Sequence, residues 1–269
     1  MAQHVATQPT EPAQTGIVLL ACACLAPDDP ALIWAPFRGR PLLAWSLMTY
    51  AQTLPDAPII LVVDDDHLPM AHDLCTKLGL SPAMPLPISE YARRRDVTSS
   101  GLAALQAHHP SCEWVIIHEA TRPLVTSRLI VSVLEHARQA DCSAIASEPV
   151  KETLKRMTPG GDGQPDRVAE TLPRERLACA QTPQVFRLAD LAHALAVLLA
   201  DVDPPDEATI AALAGLPMLA VPGDHSNLRV SSQADLPILA AQDGATSGKV
   251  GSQTEPMSRK ASSGYHAEG

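Results

Sequence analysis

Glu113-Trp114-Val115-Ile116-Ile117-His118-Glu119-Ala120-Thr121-Arg122-Pro123 is an apolar run that halts at a histidine, a carboxylate, two small residues, an arginine and a proline. Such a run reads as a buried strand, and its carboxyl end delivers a carboxylate and a guanidinium together. Open α/β sheets bind their ligands at that end. A carboxylate there suits Mg²⁺, which takes oxygen ligands, and an arginine beside it suits a phosphate, which its planar fork grips at two points. The stretch therefore points to a site for an anionic, metal-bound ligand. A strand end closed by a local ion pair is the plainer alternative.

The surrounding pattern agrees with that sheet. Residues 16–22 and 57–63 read as further strands, and 41–53, 70–78 and 99–108 as helices, the first with Pro41 at its opening turn. In 127–140 the apolar residues Leu129, Ile130, Val133 and Leu134 recur at helical spacing. A helix over 187–200, a strand over 216–221 and a helix over 232–241 close the pattern. Strands alternating with helices imply an α/β fold with a doubly wound, mostly parallel sheet. Residues 148–180 break the alternation: they are polar and turn-rich around Thr158-Pro159-Gly160-Gly161-Asp162-Gly163, which predicts a protruding β-arm. An isolated hairpin is marginal in water, so the arm is expected to pack on something else.

At 269 residues the chain suits one domain over 15–241, flanked by tails at 1–14 and 242–269 too poor in large apolar side chains to offset chain entropy. No stretch resembles a signal peptide or a membrane span, so a cytoplasmic protein is expected. Six cysteines at 22, 24, 75, 112, 142 and 179 show no zinc-like spacing and are expected to be reduced. A formal net charge of −10 argues against a nucleic-acid partner. An acidic chain that binds an anion must gather its cations locally, and Arg122, Lys155, Arg156, Arg174 and Arg229 fall within a few short motifs.

Those motifs, in order, are Gly39-Arg40-Pro41-Leu42-Leu43, the His118–Pro123 stretch, Pro149-Val150-Lys151-Glu152-Thr153-Leu154-Lys155-Arg156, Arg174 followed by Gln181-Thr182-Pro183-Gln184-Val185-Phe186, and Gly223-Asp224-His225-Ser226-Asn227-Leu228-Arg229. Together they resemble the 2-C-methyl-D-erythritol 4-phosphate cytidylyltransferase family, whose corresponding motifs read GRPLL, HDAARP, PVxDTxKR, TxxRxxLxxxQTPQxF and GdxxNxKxT. The resemblance implies a nucleotidyltransferase, Rossmann-like fold and transfer of CMP from CTP to a polyol phosphate. It further implies a homodimer in which the arm embraces the second subunit, with Lys155 and Arg156 reaching the neighbour's pocket. Carried over residue by residue, it gives Glu119 and Arg229 the catalytic roles, with Glu119 also the Mg²⁺ ligand. Arg122, Thr153, Arg174 and Thr182 bind the substrate, and Arg94 and Gly101 lie near the nucleotide. His118 is read as a satisfied strand-end histidine, and Asp64-Asp65-Asp66 as a solvated loop.

One departure bears on activity. The family opens with a glycine-rich loop, AAGxGxRMG, whose cations hold the triphosphate. Here residues 20–34, Leu-Ala-Cys-Ala-Cys-Leu-Ala-Pro-Asp-Asp-Pro-Ala-Leu-Ile-Trp, carry no glycine and no cation. Without glycine the backbone cannot readily approach phosphate. The family aspartate is also replaced by Glu119 and the late lysine by Arg229. Three functions stay open: a cytidylyltransferase with a divergent loop, a catalytically impaired paralogue that binds or regulates, and a nucleotidyltransferase for another polyol phosphate.

Overall fold

The apolar runs of the sequence are buried on both faces, as strands covered by helices on each side must be. In the computed structural model, which describes residues 14–247 apart from Pro27, Ser81, Pro82, Asp162 and Ala200, β1 spans Gln14–Ala21, and its residues alternate between two cores. Ile17, Leu19 and Ala21 face one; Val18 and Leu20, with Cys22 just beyond, face the other. A short hairpin, β2 Pro36–Phe37 and β3 Arg40–Pro41, leads into α1 Leu42–Thr53. Then come β4 Ile59–Asp64, α2 Leu68–Leu78, β5 Ala83–Ile88, α3 Arg94–His108, β6 Cys112–Glu119, α4 Ser127–Ala140 and β7 Ser143–Pro149. After β8 Lys155–Thr158 and β9 Arg167–Thr171 follow β10 Ala178–Arg187, α5 Leu188–Val197, α6 Glu207–Leu213, β11 Met218–Pro222 and α7 Leu236–Ser247.

Seven strands form one sheet in the order β11-β7-β10-β6-β1-β4-β5. All neighbours are parallel except β10, which runs antiparallel to both β6 and β7. The chain moves from β1 outward to β4 and β5, then returns to place β6 on β1's other side. This is a switch point, and the crevice beyond the carboxyl ends of β1 and β6 is where such sheets bind ligands. Helices α1, α2 and α4 cover one face, and α3, α5 and α6 the other.

Several boundaries differ from the sequence reading for identifiable reasons. β5 carries Pro85 and Pro87, which suppress a strand assignment; it survives as the sheet's edge, paired only with β4. α3 starts at Arg94 rather than residue 99, because Arg93 and Asp96 cap each other in place of a Ser or Thr signal. α7 continues to Ser247, so residues 242–247 are helical rather than tail. Residues 1–13 and 248–269, read as the outer parts of the two tails, lie outside the described residues.

The segment expected as an arm contains a hairpin of its own. β8 and β9 pair antiparallel as their own two-stranded sheet with every residue exposed, while the predicted ends at 148–149 and 178–180 belong to β7 and β10 of the main sheet. Among the described residues, no helix is long and apolar enough to cross a membrane.

Candidate functional site

β6 ends in the crevice, and its last residue, Glu119, is the centre of the site. The strand's pleat turns His118 the other way. That ring is fully buried, with Nδ1 3.0 Å from Thr182 Oγ1, Nε2 3.1 Å from the Arg122 carbonyl, and its face 4.9 Å from Tyr50. Burial pushes its pKa down to about 3, so it is neutral at ordinary pH and serves as a strut.

Three guanidiniums converge on Glu119. Arg94 Nη1 donates to Oε1 at 2.5 Å, Arg122 Nε lies 3.4 Å from Oε2, and Arg229 Nε lies 3.8 Å from the same oxygen. Burial favours protonation of this carboxyl, but the three positive charges outweigh it and hold the pKa below the usual carboxylate range.

Arg94 does not reach outward. It is 9% exposed, and its remaining donors go to Glu207, Nε to Oε1 at 3.1 Å and Nη2 to Oε2 at 2.7 Å. Burial would lower its pKa, but the two carboxylates more than reverse that. Glu207 is wholly buried and also accepts from Thr98 Oγ1 at 2.7 Å. Three guanidiniums against two carboxylates leave one net positive charge, which reaches solvent mainly through Arg229, 43% exposed, and less through Arg122, 11% exposed.

The carboxyl-terminal loop is stitched across this cluster. Arg122 Nη1 donates to the Asn227 carbonyl at 3.0 Å and Nη2 to the Ala180 carbonyl at 3.3 Å. Val230 N–H donates to the Thr121 carbonyl, and Arg229 Nη2 to the Leu25 carbonyl, at 2.8 and 2.7 Å. Asn227 Nδ2 bonds Gln181 Oε1 and the Thr182 carbonyl at 3.2 and 2.8 Å. Gly223 is required here, because a Cβ would fall 2.7 Å from Gln181 Oε1 and 3.0 Å from the Ser147 carbonyl.

These positions bear on three sequence assignments. Gly101, expected near the nucleotide, is the point where α3 presses on the sheet: a Cβ on it would lie 2.5 Å from Val18 Cγ1, which gives the glycine a packing reason. Arg94, expected there too, has its donors on Glu119 and Glu207. Thr182 is 2% exposed, and its hydroxyl accepts from Glu119 N–H at 3.2 Å while bonding His118, so it positions the strand end.

The Mg²⁺ role of Glu119 does not fit. Both of its oxygens face guanidiniums, and no group of three or more acidic, histidine or cysteine side chains able to hold a metal exists among the described residues.

Thr153 and Arg174 stand exposed at the base of the arm, where the Arg174 guanidinium donates to the Lys151 carbonyl and Lys151 Nζ lies 3.2 Å from His225 Nδ1. Lys155 bonds Thr171 and Arg156 pairs with Glu170, all exposed on the arm.

Glu207 carries no local signal of its role, since an acidic residue in the first turn of a helix is favoured by the helix dipole alone. It is Asp206 that caps α6, accepting from Thr209 N–H at 2.9 Å, which leaves Glu207 free to turn inward. Asp64, expected in a solvated loop, is buried as well. That carboxylate is 4% exposed and takes the Ala23 N–H on both oxygens, at 3.1 and 3.0 Å. A backbone amide of the loop that would cradle phosphate is thus already occupied by the protein's own anion. Beside it, Asp64, Asp65, Asp66 and Glu90 line a cavity of about 320 Å³.

The 2-C-methyl-D-erythritol 4-phosphate cytidylyltransferase family matches residues 27–242, so β1 and the turn that follows it precede the matched stretch. A cytidylyltransferase of that name from Dehalococcoides mccartyi is 35% identical over 204 residues, 76% of this chain and 84% of the relative. One from Gloeobacter violaceus is 35% identical over 212 residues, 77% and 85% of the two chains. Among solved structures, the Thermus thermophilus 2-C-methyl-D-erythritol 4-phosphate cytidylyltransferase has a TM-score of 0.64 at 26% identity, covering 84% of this chain and 98% of that one.

Proposed function

Because the chain belongs to the 2-C-methyl-D-erythritol 4-phosphate cytidylyltransferase family, we propose that it transfers CMP from CTP to 2-C-methyl-D-erythritol 4-phosphate and releases pyrophosphate, using a nucleotide grip that bypasses the first loop. The observation that carries this reading is the Arg122–Glu119–Arg229 cluster at the switch point of the sheet. A phosphate oxygen of the polyol attacks the α-phosphorus in line. The new P–O bond forms as the bond to the β-phosphate oxygen breaks, and the electron pair leaves with pyrophosphate. Such a reaction asks the protein for position and for positive charge on the equatorial oxygens. Arg229 is suited to that charge, being half out of the cluster with its guanidinium held between Glu119 and the Leu25 carbonyl. Arg122, fixed by two carbonyls, presents its edge to an incoming phosphate. Arg174 and Thr153, beside Lys151, offer the polyol phosphate a basic, hydroxyl-bearing rim. Mg²⁺ would arrive on the triphosphate, as part of the substrate.

A partner copy fits the arm. Its strands bury nothing within one chain and leave Met157 and Val168 46% and 59% exposed, so a homodimer through the arm supplies the packing that a lone hairpin lacks.

One observation favours the impaired reading as a second possibility. Asp64 fills the loop's amide, and the acidic cavity beside it repels a triphosphate. Pyrophosphate release measured with CTP, the polyol phosphate and Mg²⁺ decides between the two. Turnover that Arg229→Ala abolishes supports the transferase; no release, with the polyol phosphate still bound, supports the impaired paralogue.

A further inference from the structure

The turn that replaces a phosphate loop carries two thiols in contact. Cys22 ends the run of β1, and a single 3₁₀ turn, Ala23–Leu25, brings Cys24 back so that the two sulfurs lie 3.2 Å apart. Cys22 is buried, whereas Cys24 is partly open to solvent.

The environment makes the two unequal. The hydrogen bond shared by the two thiols lowers the pKa of Cys24; burial, Glu207 and Asp64 oppose this, and the charge of Arg94 assists it. The same bond and burial move Cys22 the other way, well above the ordinary thiol value. The accessible sulfur is thus the nucleophile and the buried one the resolving thiol, the arrangement of redox-sensitive cysteines. A disulfide needs the sulfurs about 1.2 Å closer than they are, given a bond of about 2.05 Å.

We propose that Cys22 and Cys24 form a dithiol site for hydroperoxides, oxidising reversibly to an intramolecular disulfide that pulls the Leu25 carbonyl away from Arg229. The chemistry balances. The Cys24 thiolate attacks the peroxide oxygen, an S–O bond forms and the O–O bond breaks, so that the peroxide is reduced to an alcohol or water and the sulfur is oxidised to a sulfenic acid. The Cys22 sulfur then attacks that sulfur; the S–S bond forms, the S–O bond breaks, and the oxygen leaves as water with the Cys22 proton. A dithiol reductant reverses the change.

The consequence reaches the site by a short path. The turn is pinned at one end by Ala23 N–H on Asp64 and at the other by the Leu25 carbonyl under Arg229, with Leu25 N–H on the Cys22 carbonyl at 3.1 Å between them. Drawing the sulfurs together strains this turn, and of its two outward contacts the part-buried one to Arg229 is better placed to yield than the buried one to Asp64. The effect of oxidation on turnover rests on the proposed transferase function; the thiol chemistry does not.

The test uses the full chain, reduced, freed of reductant and titrated with hydrogen peroxide. The remaining thiols are then capped with N-ethylmaleimide and the digest is weighed. The peptide holding residues 22 and 24 should lose two hydrogens and escape capping before the buried Cys75 and Cys112 change, and dithiothreitol should restore it. Cys22→Ser should instead leave a dimedone-reactive sulfenic acid on Cys24. Labelling of Arg229 by phenylglyoxal should rise as the disulfide forms, a readout that needs no turnover. Capping of both cysteines at peroxide levels that oxidise the exposed Cys179, or a bridge from either to Cys179, overturns the site. A complete disulfide with unchanged Arg229 labelling overturns the coupling, and neither result depends on whether CTP is turned over.

Discussion

Glu207→Ala should destabilise the protein by about 3–5 kcal/mol, the usual cost of removing one partner from a buried ion pair. The structure gives the reason for the upper part of that range. Glu207 is wholly buried and accepts three hydrogen bonds, two from Arg94 and one from Thr98, so its loss strands a guanidinium that is 9% exposed together with the threonine hydroxyl. Arg94 would retain only Glu119. For a domain of this size, about 1 kcal/mol corresponds to a shift of roughly 2–4 °C, so the midpoint should fall by about 6–20 °C. Chemical denaturation followed by circular dichroism measures the free-energy loss, and a thermal scan the shift. The pairing of Arg94→Met with Glu207→Leu should recover much of the loss, because Glu119 keeps Arg122 and Arg229 while the two buried charges disappear together. Arg156→Ala is the internal contrast: its pair with Glu170 is 63% and 53% exposed, so it should cost no more than about 1 kcal/mol. A loss below about 1 kcal/mol for Glu207→Ala would refute the claim that the buried network supports Glu119.

Arg229→Ala should lower kcat by about 10²- to 10³-fold with little change in the unfolding midpoint, since its side chain is 43% exposed; a fall in midpoint matching the loss of rate would count against the charge-stabilising role. Arg174→Ala should weaken binding of the polyol phosphate by about 1.5–3 kcal/mol, read by calorimetry, and unchanged affinity would remove Arg174 from the site. His118 is depressed from 6.5 to about 3 by burial, so the unfolded chain binds the extra proton between those values. Its contribution is complete above pH 6.5 and falls by about 1.4 kcal/mol per pH unit below it, and His118→Gln should flatten that slope in denaturation curves taken from about pH 7 to 5. Light scattering at micromolar concentration should give a dimer, and deletion of 156–170 a monomer; a monomeric intact chain would show that the arm packs elsewhere.

The sheet was readable because burial on both faces leaves its mark as unbroken apolar runs, and α4 because a half-buried helix repeats Leu129, Ile130, Val133 and Leu134 at helical spacing. β5 was hidden by its two prolines, which a strand tolerates only at an edge, and edge position is a property of the whole sheet. In the site, Glu119 and Arg122 were legible as a strand end. The fate of Arg94 was not. Arg93-Arg94-Arg95 is a solvated helix start by local rules, and only the fold brings Glu207, 113 residues away in sequence, against its middle member. Gly101 and Thr182 show a related limit: a motif fixes which residue stands at a position, but whether it meets ligand or neighbouring chain depends on which side of the element is covered.

That same distinction bears on the first turn. The sequence shows the loss of glycine and cation between residues 20 and 34, which by itself predicts a hole where phosphate should sit. The structure shows the hole filled: Asp64 takes the Ala23 amide, Leu25 offers its carbonyl to Arg229, and Arg94 spends its charge inward on Glu119 and Glu207. Asp64 and the Leu25 carbonyl thus hold an amide and a guanidinium that a bound triphosphate could otherwise use, and the charge of Arg94 is already neutralised. A nucleotide entering this crevice must therefore displace internal contacts as well as water. The electrostatic gain left to it comes from Arg122 and Arg229, the two cations of the cluster that retain an exposed edge. Affinity for CTP should accordingly depend steeply on salt, because the remaining attraction is borne by partly exposed charges rather than by backbone amides. Titrations of CTP at rising ionic strength check this, and an affinity indifferent to salt would mean that the nucleotide is gripped by buried groups instead.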